Sequence, residues 1–218
     1  MNIFIETVEN FSGGYLSYLR GLLSSSSFLD NVRITINCTQ EMSYLLGNNH
    51  KNVFTIFDDN AYKSIISKRC FQKKKLPKII EEKNIDLIFN SSSTMNFLPK
   101  NKIPVVTTCL NVHPFSSDEV KRYGKSRFRI KLEIMKLVMI RSFRGADGVI
   151  FHSNYAKKLI SKNVVPKRDV IIPVGIGDDF FQIPVNNGID KKKQIKILYV
   201  SSVFLYKHHW HVINGVEK

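Results

Sequence analysis

Residues 143–162, which read FRGADGVIFHSNYAKKLISK, hold the pattern that decides the fold of this chain. Gly148–Phe151 is a short apolar run, as expected of a strand that is buried on both faces. Apolar residues with helical spacing precede this run over residues 128–143 and follow it over residues 154–162. A buried strand between two helices is the repeating unit of a parallel α/β sheet, so the stretch predicts that architecture.

The same alternation continues through the first 174 residues. Helical spacing recurs at residues 15–23 and 76–83. Further short β-branched runs, bounded by polar turns, lie at residues 2–5, 32–37, 53–57, 85–89, 105–108 and 170–172. We therefore predict an α/β fold with a doubly wound, mostly parallel Rossmann-like sheet over residues 1–174.

The rest of the chain changes in composition. Residues 175–194 are rich in turn formers and charges, which predicts an interdomain linker. Residues 195–218 then offer one strand, at 196–200, and the first turn of a helix from His209 onward. One strand and one helical turn cannot form a sheet, so we expect a truncated second α/β domain and a chain that is a fragment.

The composition of the chain limits the classes of binding partner that can be expected. The net charge of +15 favours phosphates, anionic lipid headgroups or nucleic acid, although lysine clusters such as residues 73–75 are equally typical of biased composition. The N-terminus does not read as a signal peptide, and no apolar run reaches the roughly 20 residues of a spanning helix. Three widely spaced cysteines favour a reduced, cytosolic compartment.

A glycine pair marks the first candidate ligand site. Gly13 and Gly14 follow the first predicted strand and precede a helix. Ligands of open α/β sheets bind at such strand ends, because the backbone can approach them closely and helix N–H groups point at them. A tight turn without a ligand explains the pair equally well.

Several segments together carry a resemblance to a known family. They are IPVVTT at 103–108, NVHPF at 111–115, RSFRGADGVIF at 141–151, IPVGI at 172–176 and ILYVSS at 197–202 followed by Lys207 and His208. In order and spacing the chain resembles the large retaining glycosyltransferase family that includes bacterial lipopolysaccharide, O-antigen and capsule enzymes. The resemblance implies two Rossmann-like domains facing a cleft, the GT-B arrangement, with the acceptor on the N-terminal domain and the sugar nucleotide on the C-terminal one.

The resemblance also implies a set of site residues. Gly13, Gly14, Asn111, Ser153 and Lys207 match positions that bind donor or acceptor, and Lys207 matches a lysine that contacts the donor diphosphate. A cation there has a physical reason, because the leaving diphosphate gains negative charge as the glycosidic bond breaks. The nucleotide sugar would be a co-substrate, and we predict no further cofactor and no metal ligand set. The catalytic residue stays unassigned.

The departures from the family pattern matter too. Ser202 stands where many members carry an arginine, and Leu110 stands where some carry a histidine. His113 lies three residues later, and we expect it to be a turn or partly buried histidine. The paired glutamates that bind the donor sugar would lie beyond Lys218, so we expect this chain alone to be inactive.

A basic helical stretch is the last candidate. Residues 121–144 contain nine basic residues, one acidic residue, Glu133, and many apolar ones. Such a helix can rest on an anionic membrane surface. The candidate contacts are Lys121, Arg122, Lys125, Arg127 and Arg129. A core-facing helix with a basic outer side is the alternative.

The sequence therefore predicts a glycosyltransferase of surface polysaccharide synthesis, with a nucleotide sugar donor and a glycan or lipid-linked acceptor. We expect it to be cytoplasmic and peripheral on the inner face of the cell membrane. A sugar-nucleotide epimerase of the same architecture is one alternative. A basic nucleic-acid-binding module is another, but the sequence shows no recognisable binding motif for it.

Overall fold

The computed structural model describes residues 1–7, 14–24, 29–47, 50–95, 103–175 and 197–217. The described residues form a seven-stranded sheet in the order β3-β2-β1-β4-β5-β6-β7, and every neighbouring pair is parallel. The strands are β1 (Asn2–Glu6), β2 (Arg33–Cys38), β3 (Val53–Phe57), β4 (Leu87–Asn90), β5 (Val105–Cys109), β6 (Gly148–Phe151) and β7 (Asp169–Ile171). The predicted doubly wound, Rossmann-like α/β fold is confirmed.

The described residues also form eight α-helices. They are α1 (Gly14–Ser24), α2 (Gln40–Leu46), α3 (Ile65–Lys74), α4 (Leu76–Glu82), α5 (Ser117–Lys121), α6 (Arg127–Gly145), α7 (Asn154–Ser161) and α8 (His209–Val216). The sequence predicted α1, α4, α6, α7 and the start of α8, but it missed α2, α3 and α5. Local signals nevertheless begin two of these, since Thr39 accepts from the N–H of Met42 and Ser64 from that of Ser67.

Both faces of the sheet are covered. Ile3 and Ile5 of β1 join a core cluster with Leu19 of α1 and Met42 of α2. Phe4, which lies between the two isoleucines, joins a different cluster with residues of α3 and α4. Successive strand residues point to opposite faces, so β1 is buried from both sides, as its apolar sequence predicted.

The helices that follow β5 and β6 complete the core. Phe143 of α6, Phe151 of β6 and Ile160 of α7 are fully buried in a third cluster. The three cysteines are free, and burial raises the pKa of the Cys38 and Cys109 thiols to about 12. Within the part of the chain that the structure describes, no helix is both long and apolar enough to cross a membrane.

The C-terminal residues correct one prediction. Residues 197–200 were expected to be a strand, but they have no strand structure and pair with no described strand. Ile197, Leu198 and Val200 are exposed, and a lone strand without a partner leaves its backbone groups unpaired. The predicted linker, residues 175–194, lies outside the described residues except for Gly175.

Candidate functional site

Parallel pairing brings the carboxyl ends of the strands to one edge of the sheet. The direction in which successive strands are added to the sheet reverses at β1, which pairs with β2 on one side and with β4 on the other. Ligands of open α/β sheets bind at such a switch point, outside the carboxyl ends. We call the residues there the strand-end edge, which comprises residues 14–18, 91–95, 108–115 and 152–153.

The N-terminal half of α1 is tied to this edge. Gly14 is the first residue of the helix, and a Cβ added to it would meet no described atom within 4 Å. Gly13 lies outside the described residues. At the second residue of the helix, the Tyr15 hydroxyl lies 2.7 Å from Ser91 Oγ, which itself donates to the Glu6 carbonyl at 2.8 Å. Among the described residues, the Gly14 position is therefore free of neighbouring atoms, and the helix behind it is anchored.

A second tyrosine links α1 to the ends of β5 and β6. The Tyr18 hydroxyl bonds Thr108, whose Oγ1 lies 2.7 Å from Nε2 of His152. His152 Nδ1 lies 2.8 Å from the carbonyl oxygen of Ile172, which follows β7. Burial raises the pKa of Tyr18, and its bond to Thr108 opposes that shift. No sequence pattern singles out any of these four residues.

The loop after β4 holds a strained residue. Ser93 has φ of 62°, in the left-handed region that non-glycine residues rarely adopt. Its Oγ donates to the Thr108 carbonyl at 2.6 Å and accepts from the N–H of Leu110 at 3.2 Å. Strained backbone persists only where its surroundings over-determine it, and here two hydrogen bonds to the β5 loop do so.

Two predicted site residues have local partners. Asn111 Oδ1 accepts from the backbone N–H of His113 at 3.0 Å. Ser153 Oγ accepts from the N–H of Ala156 at 3.1 Å and so caps α7. Both residues lie on the strand-end edge, and both side chains shape the backbone there.

His113 lies in a 3₁₀ turn and is buried, as the sequence predicted. Its ring centroid is 4.6 Å from that of Tyr206, 5.5 Å from that of Tyr123 and 6.3 Å from that of Phe128. Its Nε2 has no hydrogen-bond partner among the described residues. Burial lowers the pKa of His113, and the negative charge of Glu119 opposes that shift.

The contact with Tyr206 brings the C-terminal segment to the edge. Lys207 ends the 3₁₀ turn Leu205–Lys207, and its Nζ lies 5.3 Å from the centroid of the Tyr206 ring. The next residue, His208, places Nε2 3.3 Å from Glu119 Oε1, which also lies 3.2 Å from Arg122 Nε. The structure thus puts the turn that carries Lys207 against the loop after β5.

A buried acid at the end of β1 was missed by sequence reasoning. Glu6 is 1% exposed, accepts a hydrogen bond from Gln72 Nε2, and lies 3.8 Å from Lys68 Nζ. Lys68 Nζ also donates to the Thr7 carbonyl at 3.2 Å. The polar pair Lys68 and Gln72, one helical turn apart on α3, was the only sequence signal, and it was lost because α3 was not predicted.

The chemistry of the strand-end edge is that of hydrogen bonding. Its hydroxyls that are not buried include those of Tyr15, Tyr18 and Ser92, and such hydroxyls suit a ligand with many hydroxyl groups. Among the described residues, no three His, Cys, Asp or Glu side chains are grouped closely enough to hold a metal ion.

The family described as Glycosyltransferase Family 4 matches residues 53–180, which is more than half of the chain. The chain belongs to glycosyltransferase family 4. The matched part contains Asn111 and Ser153, whereas Gly13, Gly14 and Lys207 lie outside it. No curated protein matches the chain.

Solved structures show the same fold. UDP-glucose: anthocyanidin 3-O-glucosyltransferase in complex with UDP has a TM-score of 0.54 at 12% identity, with 84% of this chain and 54% of that one covered. A glycosyltransferase from Rickettsia africae has a TM-score of 0.52 at 16% identity, with 84% of this chain and 46% of that one covered. Sucrose-phosphate synthase from Thermosynechococcus elongatus has a TM-score of 0.54 at 14% identity, with 81% of this chain and 48% of that one covered. The chain spans about half the length of these structures, and the shared fold is that of GT-B glycosyltransferases.

Proposed function

We propose that this family 4 protein transfers a sugar, with retention of anomeric configuration, from a nucleotide diphosphate donor to a hydroxyl of a glycan or lipid-linked acceptor in surface polysaccharide synthesis. The observation that carries the proposal is the family match over residues 53–180. The UDP-glucose: anthocyanidin 3-O-glucosyltransferase, which shares the fold, was solved in complex with UDP, and this supports a donor of the same chemical class.

In this proposal residues 1–174 form the acceptor side of the cleft, residues 175–194 the linker and residues 195–218 the start of the donor-binding domain. The acceptor would lie along the strand-end edge, where the open Gly14 position and the hydroxyls of Tyr15 and Tyr18 come together. The nucleotide sugar is the co-substrate, and the proposal includes no separate cofactor.

Lys207 would contact the donor diphosphate. Its turn lies against His113 at the end of β5, so a ligand at the strand-end edge would be close to this cation. Negative charge grows on the diphosphate as the glycosidic bond breaks, and a fixed cation stabilises that charge. The two walls of the cleft supply positioning, which can account for roughly 7–11 kcal/mol of a reaction barrier.

The test uses the longest polypeptide that the gene encodes around residues 1–218. It is incubated with a panel of radiolabelled nucleotide diphosphate sugars and with lipid and polysaccharide extracts. Label should move into glycan or lipid-linked acceptors, and NMR of the product should show the anomeric configuration of the donor. Inversion of configuration would refute the retaining mechanism alone.

Two other outcomes would replace the proposal. Conversion of one nucleotide sugar into its epimer, without transfer, would identify an epimerase of the same architecture. Failure to consume any nucleotide sugar, together with tight salt-dependent binding of DNA or RNA, would identify a nucleic-acid-binding module.

We also propose that α6 rests on an anionic membrane surface, at the inner face of the cell membrane. Ile130, Ile134 and Leu137 are 61%, 56% and 66% exposed and form one row along the helix. Arg127, Lys131 and Arg141 are exposed beside this row, as is one acid, Glu133. An exposed apolar row bordered by cations is what a helix lying in a lipid headgroup region needs. The opposite face of α6, with Leu132, Met139 and Phe143, packs into the core.

The five cations that the sequence singled out differ in how free they are to contact a membrane. Lys121 lies 3.7 Å from Asp118, Arg122 pairs with Glu119, and Arg129 donates to the Gly124 carbonyl at 3.4 Å. Lys125 and Arg127 are exposed. We therefore expect Arg127, Lys131 and Arg141, beside the apolar row, to contribute more to membrane binding than Arg122 or Arg129.

Co-sedimentation with vesicles tests this surface. Binding should rise with the content of anionic lipid and weaken with salt, because exposed charges are screened over about 10 Å at 0.1 M. Ile134→Ser should weaken binding, whereas Ile66→Ser, at an isoleucine that is 81% exposed on α3, should not. Equal binding to neutral vesicles, or equal effects of the two variants, would refute the proposal.

A further inference from the structure

The bonds of His152 fix where its protons lie. The carbonyl oxygen of Ile172 can only accept, so His152 Nδ1, 2.8 Å away, must carry a hydrogen. A neutral imidazole has one N–H, so Nε2 then holds a lone pair and accepts from the Thr108 hydroxyl at 2.7 Å. Thr108 Oγ1 also lies 3.4 Å from the carbonyl oxygen of Ile150, which is a longer contact than that to His152.

The resulting relay has one direction. Thr108 donates to His152, and His152 donates to the carbonyl of Ile172. Thr108 is fully buried, so its hydroxyl has no water to replace these partners. The rings of Tyr18 and His152 also meet edge to face, with centroids 5.5 Å apart. Each ring therefore limits the rotation of the other.

The relay joins two parts of the chain that border the candidate site. Tyr18 lies one helical turn after Gly14, at the open N-terminus of α1. Ile172 follows β7 and leads through Pro173 to Gly175, where the chain leaves the first domain of the proposed arrangement. His152, at the end of β6, meets the Tyr18 ring with its own ring and bonds the Ile172 carbonyl oxygen through Nδ1.

We propose that His152 is a positioning residue, held as the neutral Nδ1–H tautomer, that couples the helix behind the glycine loop to the chain that leaves the sheet at Ile172. Its contribution to sugar transfer rests on the proposed function. The tautomer and the coupling do not, because both are properties of the 218-residue chain.

The tautomer is measured by long-range proton–nitrogen NMR of the chain labelled at its histidines. The spectra are recorded about two pH units above the ordinary histidine pKa of about 6.5, where a free imidazole is neutral. His152 should show a protonated Nδ1 and a bare Nε2. The opposite tautomer, or a mixture of the two, would overturn the proposal without any variant being made.

The coupling is measured with two variants that each keep one of the bonds. His152→Asn has a side-chain amide placed like Nδ1, so it retains a donor to Ile172 but cannot reach Thr108. His152→Gln reaches as far as Nε2 and can still bond Thr108. Both variants lose the ring contact with Tyr18, but only the asparagine variant also loses the bond to Thr108, so amide exchange in α1 should rise more for the asparagine variant than for the glutamine variant. For the glutamine variant it should rise at Ile172, whose N–H donates to Phe151 at 2.8 Å.

His211→Asn, at an exposed histidine on α8, is the control and should leave both regions unchanged. Equal increases in exchange in both regions for the two His152 variants would indicate general loosening and would overturn the positioning role. Both variants should also slow sugar transfer by the longest natural form of the protein, and normal turnover by either would refute the functional part. If the wild type consumes no nucleotide sugar, the proposed function fails while the tautomer and exchange results still decide the coupling.

Discussion

Ser93 offers the sharpest test of how the strand-end edge is held together. It is 2% exposed, has φ of 62°, and bonds the loop after β5 through both its donor and its acceptor. Ser93→Ala removes the hydroxyl without changing the backbone preference. The Thr108 carbonyl and the Leu110 N–H then lose their partner in a buried region.

The magnitude follows from those two bonds. A net loss of about 1 kcal/mol for each hydrogen bond, plus the cost of leaving buried groups unpaired, gives about 2–4 kcal/mol for Ser93→Ala. Ser93→Gly loses the same bonds but relieves the left-handed strain, which costs a non-glycine residue about 1–2 kcal/mol. We therefore expect the order of stability to be wild type, then the glycine variant, then the alanine variant.

Urea unfolding followed by far-UV circular dichroism measures these differences. Ser117→Ala, at an exposed serine that begins α5, should change the unfolding free energy by no more than about 0.5 kcal/mol. An alanine variant as stable as wild type would show that Ser93 does not hold the loop. A glycine variant less stable than the alanine one would contradict the left-handed backbone.

The remaining predictions concern Lys207 and His113. In the longest natural form, Lys207→Ala should lower sugar transfer about a hundredfold, since each 1.36 kcal/mol of lost transition-state stabilisation is tenfold. The control is Lys63→Ala, at an exposed lysine that is distant in sequence from Lys207, and it should transfer sugar at the wild-type rate. Equal rates for the two variants would mean that another cation contacts the diphosphate. Because the pKa of His113 is lowered in the native protein, its contribution to stability is complete above about pH 6.5 and is lost as the pH falls through the native value. Urea unfolding over a pH series should therefore show a steeper acid loss of stability for wild type than for His113→Phe, and parallel curves would refute that reasoning.

The strands could be predicted because each is a short apolar run in a sheet covered on both faces. Val53–Phe57 and Gly148–Phe151 were predicted to the residue. The helix α3 was missed because it is rich in lysine and polar residues and has little apolar periodicity. The short helix α2 was also missed. Residues 197–200 were predicted wrongly, because a strand-like sequence forms no strand without a partner.

The structure shows where three of the candidate site residues lie, and it shows contacts that the sequence did not predict. Gly14, Asn111 and Ser153 do lie at one edge, because parallel strands bring their carboxyl ends together. The contacts of Glu6 with Gln72 and of Thr108 with His152 join residues 66 and 44 positions apart. Such pairs depend on how helices and strands are stacked, which no local pattern encodes. Sequence reasoning thus chose Ser153, while its neighbour His152 makes the long-range bonds.

The central claim is that a ligand of the transferase approaches the strand-end edge at Gly14. Gly14 and Gly21 both belong to α1, and a Cβ added to either would meet no described atom within 4 Å, so we expect circular dichroism to show that both valine variants are folded. The decisive measurement is therefore sugar transfer by the longest natural form carrying Gly14→Val, compared with Gly21→Val. We predict a loss of about a hundredfold or more, equivalent to about 2.7 kcal/mol, for Gly14→Val and near wild-type transfer for Gly21→Val. Equal transfer by the two folded variants would contradict the assignment of the site.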